Sequence, residues 1–341
     1  MTDEPGAPLV SFVVATWQEA DFIGPCLDRL LAQDEAIEVL VVDGGSTDGT
    51  RALVEAVAGR DGRVRLLDNP AKVAPAAFNL GIAASLGDLV SLIGAHSLPQ
   101  VDYASRLVRA FEESGAWLVG GRAVSRPAVA GPVAAGIARA MASPLGVGGA
   151  TFRVSDEAGW ADTGFPGAYR RGLFEEIGCF DEALVRNQDD DLHLRARIAG
   201  HRLWYEPGLA TVYHPRSTFA GLWRQYEQYG FWRAATLRKH RRLASPRQAA
   251  PGAFVAGLVL GVPLGLGHPR LRRLWALGVV AWLAGLVGAG LRERERGADP
   301  ATAAAAAAAV GTMHLSYGAG FWRGVLTEGC RWVAGTMQVG S

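Results

Sequence analysis

The first part of the chain alternates short apolar runs with segments whose apolar residues recur at helical spacing. Residues 10–14 form a valine-rich run, and residues 22–32 carry apolar side chains three and four positions apart. Residues 38–43 form a second apolar run that ends at Gly44-Gly45. This order predicts a βαβ unit.

The same alternation continues along the chain to residue 93. It predicts helices over 50–58 and 74–85, and strands over 63–67 and 89–93. An order of this kind is typical of parallel strands with helices on both faces. We therefore expect an α/β fold for the first two-thirds of the chain.

Polar segments follow three of the predicted strands. They are residues 16–19, 43–48 and 94–97, which come after Val14, Val42 and Ile93. Ligands of doubly wound sheets bind beyond the carboxyl ends of the strands, so these segments form a candidate binding site. Taken one at a time, they are also explained as turns and helix caps, with Ser46 or Thr47 as a cap.

The pattern changes near residue 247, beyond which charged residues are missing over long intervals. These intervals are 248–267, 274–291 and, apart from His314, 300–322. The first two are about as long as a bilayer-spanning helix, although they are rich in Gly and Ala and Pro263 interrupts the first. We expect one domain over 1–247 and a membrane-associated helical region over 248–341. The alternative is a set of buried helices in a soluble domain.

Basic residues flank the first interval on both sides. Before it lie Arg238, Lys239, Arg241, Arg242 and Arg247, and after it lie Arg270, Arg272 and Arg273. A simple helical hairpin would carry the second group across the membrane, against the usual bias of positive charge toward the cytoplasm. Either the helices lie partly in the interface or that bias is not followed, so we predict membrane association without a topology.

Composition and charge exclude several classes of protein. The 341 residues include 34 basic and 33 acidic side chains, a net charge of +1, which argues against a nucleic-acid partner. The three cysteines are far apart, which argues against a disulfide framework or a zinc ribbon. The first residues, MTDEPGAP, lack the basic start of a signal peptide, so we expect the N-terminal part in the cytoplasm.

Several ordered motifs carry a resemblance to a known family. They are VVATWQEADFI, VVDGGSTDGT, AAFNLGI, GAHSLP, RNQDDDLHLR, LWRQYEQYGFWR and, near the end, HLSYGAGFWRG. From about residue 10 to residue 232 the chain resembles the family 2 inverting glycosyltransferases with the GT-A fold. Within that family it is most similar to bacterial exopolysaccharide glucosyltransferases of the succinoglycan type. The resemblance implies a Rossmann-like GT-A domain followed by the hydrophobic helical region.

The resemblance also implies a nucleotide-sugar donor, usually a UDP-sugar. The donor-binding residues it implies are Thr16, Glu19, Asp43, Lys72, Asn79 and Gly81. The chemistry of Asp43 agrees, since a carboxylate can accept hydrogen bonds from a uracil N–H or a ribose hydroxyl. The backbone N–H groups of the adjoining glycine-rich turn suit anionic groups.

The family places a divalent cation on the donor diphosphate. The triplet that matches its usual Asp-x-Asp ligand motif is Gly94-Ala95-His96, so the first acid is absent. His96 can still ligate a metal, and because imidazole suits Mg²⁺ less well we expect Mn²⁺ rather than Mg²⁺. His214 matches a late histidine near the metal in some GT-A enzymes. Its other interpretation is a surface or capping histidine.

Three adjacent carboxylates, Asp189 to Asp191, begin a predicted helix over 192–199. Acids are common at a helix start, and an inverting transferase needs one carboxylate to deprotonate the acceptor hydroxyl. The resemblance implies that Asp189 is this base and that Asp191 organises the acceptor side. Arg195 can pair with Asp191 across one helical turn. Arg195, together with Arg216, Arg224 and Gln225, is a candidate contact for the acceptor or for phosphates.

These observations predict a membrane-associated inverting glycosyltransferase at the cytoplasmic face. Its partners would be a UDP-sugar, a lipid-linked or polysaccharide-precursor acceptor, and the membrane. One alternative is a non-catalytic scaffold that binds nucleotide sugar or a partner enzyme, for which Gly94 is the main support. The other is an enzyme that transfers sugar directly to a polyprenyl phosphate.

Overall fold

The computed structural model describes residues 9–242 and 245–338, so the predicted cytoplasmic N-terminal segment, MTDEPGAP, lies outside the described residues. The chain forms two compact units. The sheet unit comprises the residues up to Val124 and Ser155–Tyr213, and the helical unit comprises Ser125–Val154 and the residues from His214 onward.

The described residues form one mixed sheet, with strand order β3-β2-β1-β4-β7-β5-β8-β6. Strands β1 to β4 pair in parallel, whereas β7 is antiparallel to both β4 and β5, and β6 is antiparallel to β8. The strands are β1 (Val10–Thr16), β2 (Ile37–Asp43), β3 (Val64–Asp68), β4 (Leu89–Gly94), β5 (Leu118–Ser125), β6 (Gly159–Ala161), β7 (Gly167–Arg170) and β8 (Leu203–Tyr213).

The α-helices lie between the strands and then follow them to the end of the described chain. They are α1 (Ala20–Leu31), α2 (Thr50–Ala58), α3 (Ala74–Ala84), α4 (Tyr103–Ser114), α5 (Pro132–Ala140), α6 (Pro144–Val147), α7 (Thr151–Val154), α8 (Gly172–Ile177), α9 (Gln188–Ile198), α10 (Phe219–His240), α11 (Ala250–Gly267), α12 (Pro269–Glu295) and α13 (Pro300–Gln338).

The predicted alternation over residues 10–93 is confirmed, with element ends that differ by two residues or fewer. Every residue of β2 is buried, and β1 lies between β2 and β4, so the apolar runs form the centre of the sheet. In the register of the sheet, Thr16 lies beside Asp43 and Ala15 beside Gly94. The three polar segments therefore leave the sheet at one edge, as expected for a binding site.

The charge-poor intervals form α11, most of α12 and the first part of α13. Helices α11 and α12 are long and apolar enough to cross a membrane, and only 11% and 6% of the residues in their most apolar windows are buried. The two helices are therefore mostly exposed within the described part of the chain and are not covered by it. Pro263 lies inside α11 without ending it.

Glycines of the motif HLSYGAGFWRG bring the helices of this unit close together. A methyl group at Gly320 would overlap the backbone oxygen of Glu227 on α10, and one at Gly318 would overlap the backbone oxygen of Pro251 on α11. On the facing helix, a methyl group at Gly230 would overlap the backbone oxygen of Tyr317. The motif is therefore a site of close helix packing.

Polar side chains connect helices inside the same unit. The Glu293 carboxylate is buried between two guanidinium groups, 2.8 Å from Arg139 Nη1 and 3.0 Å from Arg296 Nη1. Trp282 Nε1–H donates to His314 Nδ1 over 3.2 Å, and His314 Nε2–H donates to the Leu145 carbonyl over 2.7 Å. These links join α12 to α5, α13 and α6.

The compact units divide the chain differently from the boundary expected at residue 247. Helix α10 and helix α5, which precede that boundary, both pack against α13. The glycine contacts of α10 and the ion pair of Arg139 with Glu293 account for this grouping, because each joins residues far apart in the sequence.

Candidate functional site

The loops after β1 and β2 hold each other in place. Gln18, in the left-handed region at φ 58°, donates its backbone N–H to Ser46 Oγ over 2.8 Å and accepts the Thr47 N–H over 2.7 Å through its side chain. Ala20 N–H donates to the Asp48 carboxylate over 3.1 Å. The loops predicted to surround the donor are thus a single hydrogen-bonded structure before any ligand binds.

Asp43 lies at the centre of this structure, with a side chain that is 0% exposed. Its Oδ2 accepts the backbone N–H groups of Gly45 and Ser46 at 2.9 Å, and its Oδ1 accepts the Ser46 hydroxyl at 2.5 Å. With Arg51, three donors share Oδ2, whereas Oδ1 accepts one hydrogen bond, so Oδ1 is the atom that has an acceptor position left for a ligand. Arg51 Nη1 lies 3.5 Å from Oδ2 and also bonds to Asp68.

Thr16 and Lys72 lie at the same edge as Asp43. The Thr16 hydroxyl is buried and has no hydrogen-bond partner among the described residues, which leaves it available to a ligand. Lys72 is exposed, and its Nζ lies 3.8 Å from the point where a Gly45 Cβ would stand. The backbone N–H groups of residues 44–47 already bond to Thr16, Asp43 and Gln18, so they are not available to an anion as the sequence had indicated. The exposed Lys72 ammonium is the group at this edge that suits an anionic group.

Asn79 and Gly81 have structural contacts that the sequence did not indicate. The Asn79 side chain bonds in both directions to Phe180, accepting its N–H and donating to its carbonyl at 2.9 Å, and also donates to Glu182 at 2.9 Å. A methyl group at Gly81 would overlap the Val13 side chain, so this glycine allows α3 to approach β1. Asn79 joins α3 to the segment before α9.

Of the two histidines expected at the metal, His96 lies near a carboxylate, that of the expected donor residue Glu19. His96 Nδ1 lies 3.8 Å from Glu19 Oε1, and the His96 ring is close to Gly94, where a Cβ would lie 3.5 Å from Cε1. Within the described ranges, no group of three or more His, Cys, Asp or Glu side chains could hold a metal ion. His96 and Glu19 fit a cation only if a diphosphate supplies further oxygens.

The three consecutive carboxylates at the start of helix α9 differ in burial and in hydrogen-bond partners. Asp191 is buried and bonds to Arg195 Nε over 3.0 Å, which confirms the pairing expected across one turn. Arg195 also donates to the carbonyls of residues 177–179, so most of its N–H groups bind the chain itself. Asp189 is partly exposed in the first helical turn and accepts the Asp190 N–H over 2.9 Å.

A buried polar pair beside Asp189 was missed by the sequence analysis. Tyr169 on β7 and His193 on α9 are 1% and 2% exposed, and the Tyr169 hydroxyl lies 3.2 Å from His193 Nε2. Burial raises the pKa of Tyr169, and the charge of Asp189 raises it further. Burial lowers the pKa of His193 to about 4, against the opposing charge of Asp190. The four-residue spacing of Asp189 and His193 was the available signal.

Four of the predicted residues belong to the helical unit. His214 Nδ1–H donates to the Arg126 carbonyl over 3.1 Å, which leaves Nε2 as the nitrogen with a lone pair in the neutral ring. Arg216 and Arg224 are exposed, and Gln225 donates to the Tyr229 hydroxyl over 3.2 Å. Arg216 packs beside Gly221 at the start of α10, where Thr218 caps the helix.

The chain is similar to known transferases along most of its length. The profile described as "Glycosyl transferase family 2" matches residues 11–178. Succinoglycan biosynthesis protein ExoA of Rhizobium meliloti (strain 1021) is 33% identical over 95% of this chain and 97% of its own length. A dolichyl N-acetyl-alpha-D-glucosaminyl phosphate 3-beta-D-2,3-diacetamido-2,3-dideoxy-beta-D-glucuronosyltransferase of Methanococcus voltae is 26% identical over 67% of this chain and 74% of its own length.

A solved structure shares the fold. Mannosyltransferase PcManGT from Pyrobaculum calidifontis, in complex with GDP-Man and Mn²⁺, aligns with a TM-score of 0.57 and 21% identity. The alignment covers 94% of this chain and 88% of that one. The mixed sheet with its following helices is therefore a known architecture, the GT-A-like fold.

Proposed function

Because the chain belongs to glycosyl transferase family 2 and is a glycosyltransferase, we propose that it transfers one sugar, with inversion, from a UDP-sugar to a lipid-linked or polysaccharide-precursor acceptor. Asp189 is the general base in this proposal. It accepts the proton of the acceptor hydroxyl while that oxygen bonds to the anomeric carbon and the bond from this carbon to the diphosphate breaks.

The assignment of Asp189 as the base rests on the different burial and pairing of the α9 carboxylates. Asp191 is buried in an ion pair with Arg195, which favours a structural role in place of the acceptor contact expected from the sequence. Asp189 is partly exposed at the N-terminal end of the helix, where the dipole favours the ionised form that a base needs. The Asp190 N–H holds one of its oxygens.

The edge of the sheet at Asp43 supports the donor part of the proposal. Asp43 and the unpartnered Thr16 hydroxyl offer hydrogen-bonding groups to a nucleoside, and Lys72 offers a positive charge to a diphosphate. His96 and Glu19 would hold a divalent cation, with Mn²⁺ favoured over Mg²⁺ by the imidazole ligand. That cation would stabilise the negative charge on the leaving nucleoside diphosphate.

The acceptor and the location are inferred from relatives and from the apolar helices. The similar protein of Rhizobium meliloti is named for succinoglycan biosynthesis, and that of Methanococcus voltae for a dolichyl-linked sugar phosphate. An uncharged run of 18 residues in α12 spans about 27 Å at 1.5 Å per residue, close to the thickness of a bilayer core. A chain anchored this way would meet a lipid-linked acceptor at the cytoplasmic face.

The base is tested with detergent-purified protein and the matched variants Asp189→Asn and Asp190→Asn. The first measurement is calorimetric binding of UDP-glucose, UDP-galactose, UDP-N-acetylglucosamine and GDP-mannose in the presence of Mn²⁺. The second is release of nucleoside diphosphate when a polyprenyl-diphosphate-linked monosaccharide is added. We expect Asp189→Asn to lower turnover by about a hundredfold or more with unchanged donor affinity, and Asp190→Asn to keep it.

Other outcomes would contradict separate parts of the proposal. Normal turnover by Asp189→Asn would exclude this residue as the base. Absence of binding by every donor, with a folded protein, would favour a non-catalytic scaffold. Binding of GDP-mannose alone would overturn the UDP-sugar assignment, and binding that His96→Ala leaves unchanged would remove His96 from the metal site.

A further inference from the structure

The pair formed by Tyr169 and His193 lies beside Asp189 and has no role in the proposal so far. Asp189 and His193 are one helical turn apart and share a face of α9. Tyr169 approaches His193 from β7, with ring centroids 6.0 Å apart and the hydroxyl 3.2 Å from Nε2. A methyl group at Gly167 would overlap the Tyr169 hydroxyl, so glycine makes room for it.

The protonation states of Tyr169 and His193 limit which of the two donates the hydrogen bond between them. Burial keeps both side chains neutral near pH 7, because it raises the pKa of Tyr169 and lowers that of His193 to about 4. A neutral imidazole carries one N–H, on either Nδ1 or Nε2. His193 Nδ1 is buried and has no hydrogen-bond partner among the described residues.

The unpartnered Nδ1 distinguishes the two tautomers. If Tyr169 donates to Nε2, the proton of His193 is on Nδ1, where a buried N–H finds no acceptor. If Nε2–H donates to the Tyr169 oxygen, Nδ1 carries only a lone pair. Buried N–H groups without an acceptor are rarer than acceptors without a donor, so the second arrangement is favoured. It also leaves the Tyr169 proton free for another acceptor.

We propose that Tyr169 is a positioning residue for Asp189, with His193 Nε2–H donating to the Tyr169 oxygen and the Tyr169 O–H directed at the Asp189 carboxylate. The hydroxyl dipole then stabilises the ionised carboxylate and restricts its rotamers. This inference rests on the proposed role of Asp189 as the base. Neither Tyr169 nor His193 touches a substrate in this arrangement.

The other charged groups around the pair are themselves held by partners. Asp191 pairs with Arg195, and Arg197 Nη1 bonds to Asp162 over 2.9 Å. On the adjacent α8, Glu176 pairs with His201 at 2.8 Å. Asp190 is the neighbour of Asp189 in the chain, and its backbone N–H bonds to the Asp189 carboxylate. Removal of the Tyr169 hydroxyl leaves all these groups in place, so a change in pH dependence reports on Asp189.

The first test compares Tyr169→Phe with Tyr205→Phe over the pH range of activity, using the donor and lipid-linked monosaccharide that support turnover. Tyr205 is the matched control, since it is buried in the same unit and its hydroxyl donates to the Ser155 carbonyl. We expect Tyr169→Phe to lower kcat by about tenfold with unchanged donor KM, and to move the acid limb of kcat upward by about one pH unit. Tyr205→Phe should leave that limb in place.

An equal loss at every pH, or a displaced acid limb in both variants, would overturn the positioning role. The failure of the base itself is recognised separately, because Asp189→Asn would then retain turnover. If Tyr169→Phe does not fold, His193→Gln and His193→Leu provide the comparison. Glutamine keeps an N–H donor and should retain the acid limb, leucine should displace it, and equal profiles would overturn the proposal.

A second test needs no activity. Nitrogen-15 NMR of histidine-labelled protein distinguishes a protonated from an unprotonated ring nitrogen, and His193→Gln identifies the signals of His193. We expect a proton on Nε2 and none on Nδ1. The opposite tautomer would overturn the proposal, because the Tyr169 O–H would then donate to His193 Nε2 and not to Asp189.

Discussion

Strand β2 and helix α12 are both apolar, yet they have opposite exposures. Every residue of β2 is buried inside the sheet unit, whereas only 6% of the most apolar window of α12 is buried. The hydrophobic effect requires that apolar surface leave water, but it does not specify what covers that surface. The comparison shows that the rest of the sheet unit covers the first element, whereas the described chain leaves the second uncovered, and the proposed membrane association would cover it with lipid.

Charged residues in the middle of α11 and α12 should have the largest effect on this contrast. We expect Val259→Asp with Leu283→Asp to oppose membrane insertion by about 6 kcal/mol, since each aspartate at a helix centre costs about 3 kcal/mol. Carbonate-washed membranes should then lose the protein. The control is Leu86→Asp with Ile198→Asp, at exposed apolar positions of the sheet unit. Retention of the first variant in the membranes would break the comparison.

Close helix packing inside the helical unit should be the next most sensitive feature. We expect Gly320→Ala to destabilise the protein by about 3 kcal/mol, because the methyl group meets the Glu227 backbone and the helices must separate. Thermal unfolding in detergent measures the loss. Gly288→Ala on α12 is the control, since nothing lies within 4 Å of its added methyl group. Equal melting temperatures would contradict the packing role.

The hydrogen bonds of Asn79 test how the sheet unit is held together. We expect Asn79→Ala to destabilise the protein by about 2 kcal/mol, because it removes the hydrogen bonds to Phe180 and Glu182. It should lower kcat more than it raises the donor KM, since these bonds hold the segment before α9. A large rise in donor KM with unchanged kcat and stability would instead support the donor contact expected from the sequence.

Substitution of Glu38 should have the smallest effect on stability, and this effect should depend on pH. Burial raises its pKa, but hydrogen bonds from Ser11, the Leu86 N–H and Arg65 outweigh burial and lower it. Its stabilisation is therefore complete above the unfolded pKa of about 4.3 and is lost as the pH falls through the lower folded value.

We expect Glu38→Gln to cost about 1 kcal/mol at pH 7 and to match the parent protein near the folded pKa. Denaturant unfolding across this pH range measures the difference. A cost that did not change with pH would exclude the carboxylate charge as its origin. Glu113→Gln, at an exposed carboxylate of the same unit, is the control.

The start of the sheet unit was predictable because its pattern is local. Successive apolar runs of period two and period 3.6 specify the first four strands and their helices without knowledge of distant residues. The antiparallel strands β5 to β8 were not predicted. Their pairing requires the close approach of Gly120 and Gly164, where a methyl group on either would overlap the other backbone. No short window of sequence contains both glycines.

The contacts of the candidate site likewise include some that the local sequence predicts and some that it does not. The pairing of Asp191 with Arg195 was predictable from its four-residue spacing, and the shared edge of Thr16 and Asp43 from the strand order. The contact of Asn79 with Phe180 was not, because 101 residues separate them. The polar pair on α9 and β7 likewise depends on which strand lies beside that helix.

The hydrogen-bonded chain from Trp282 through His314 to the Leu145 carbonyl determines how α12 can turn about its own axis. Rotation of the helix about its axis would separate the indole N–H from its acceptor and lose this hydrogen bond. These two hydrogen bonds therefore fix the rotation of α12 about its own axis. They keep the side of α12 that carries Trp282 toward α13, while Leu277 is exposed.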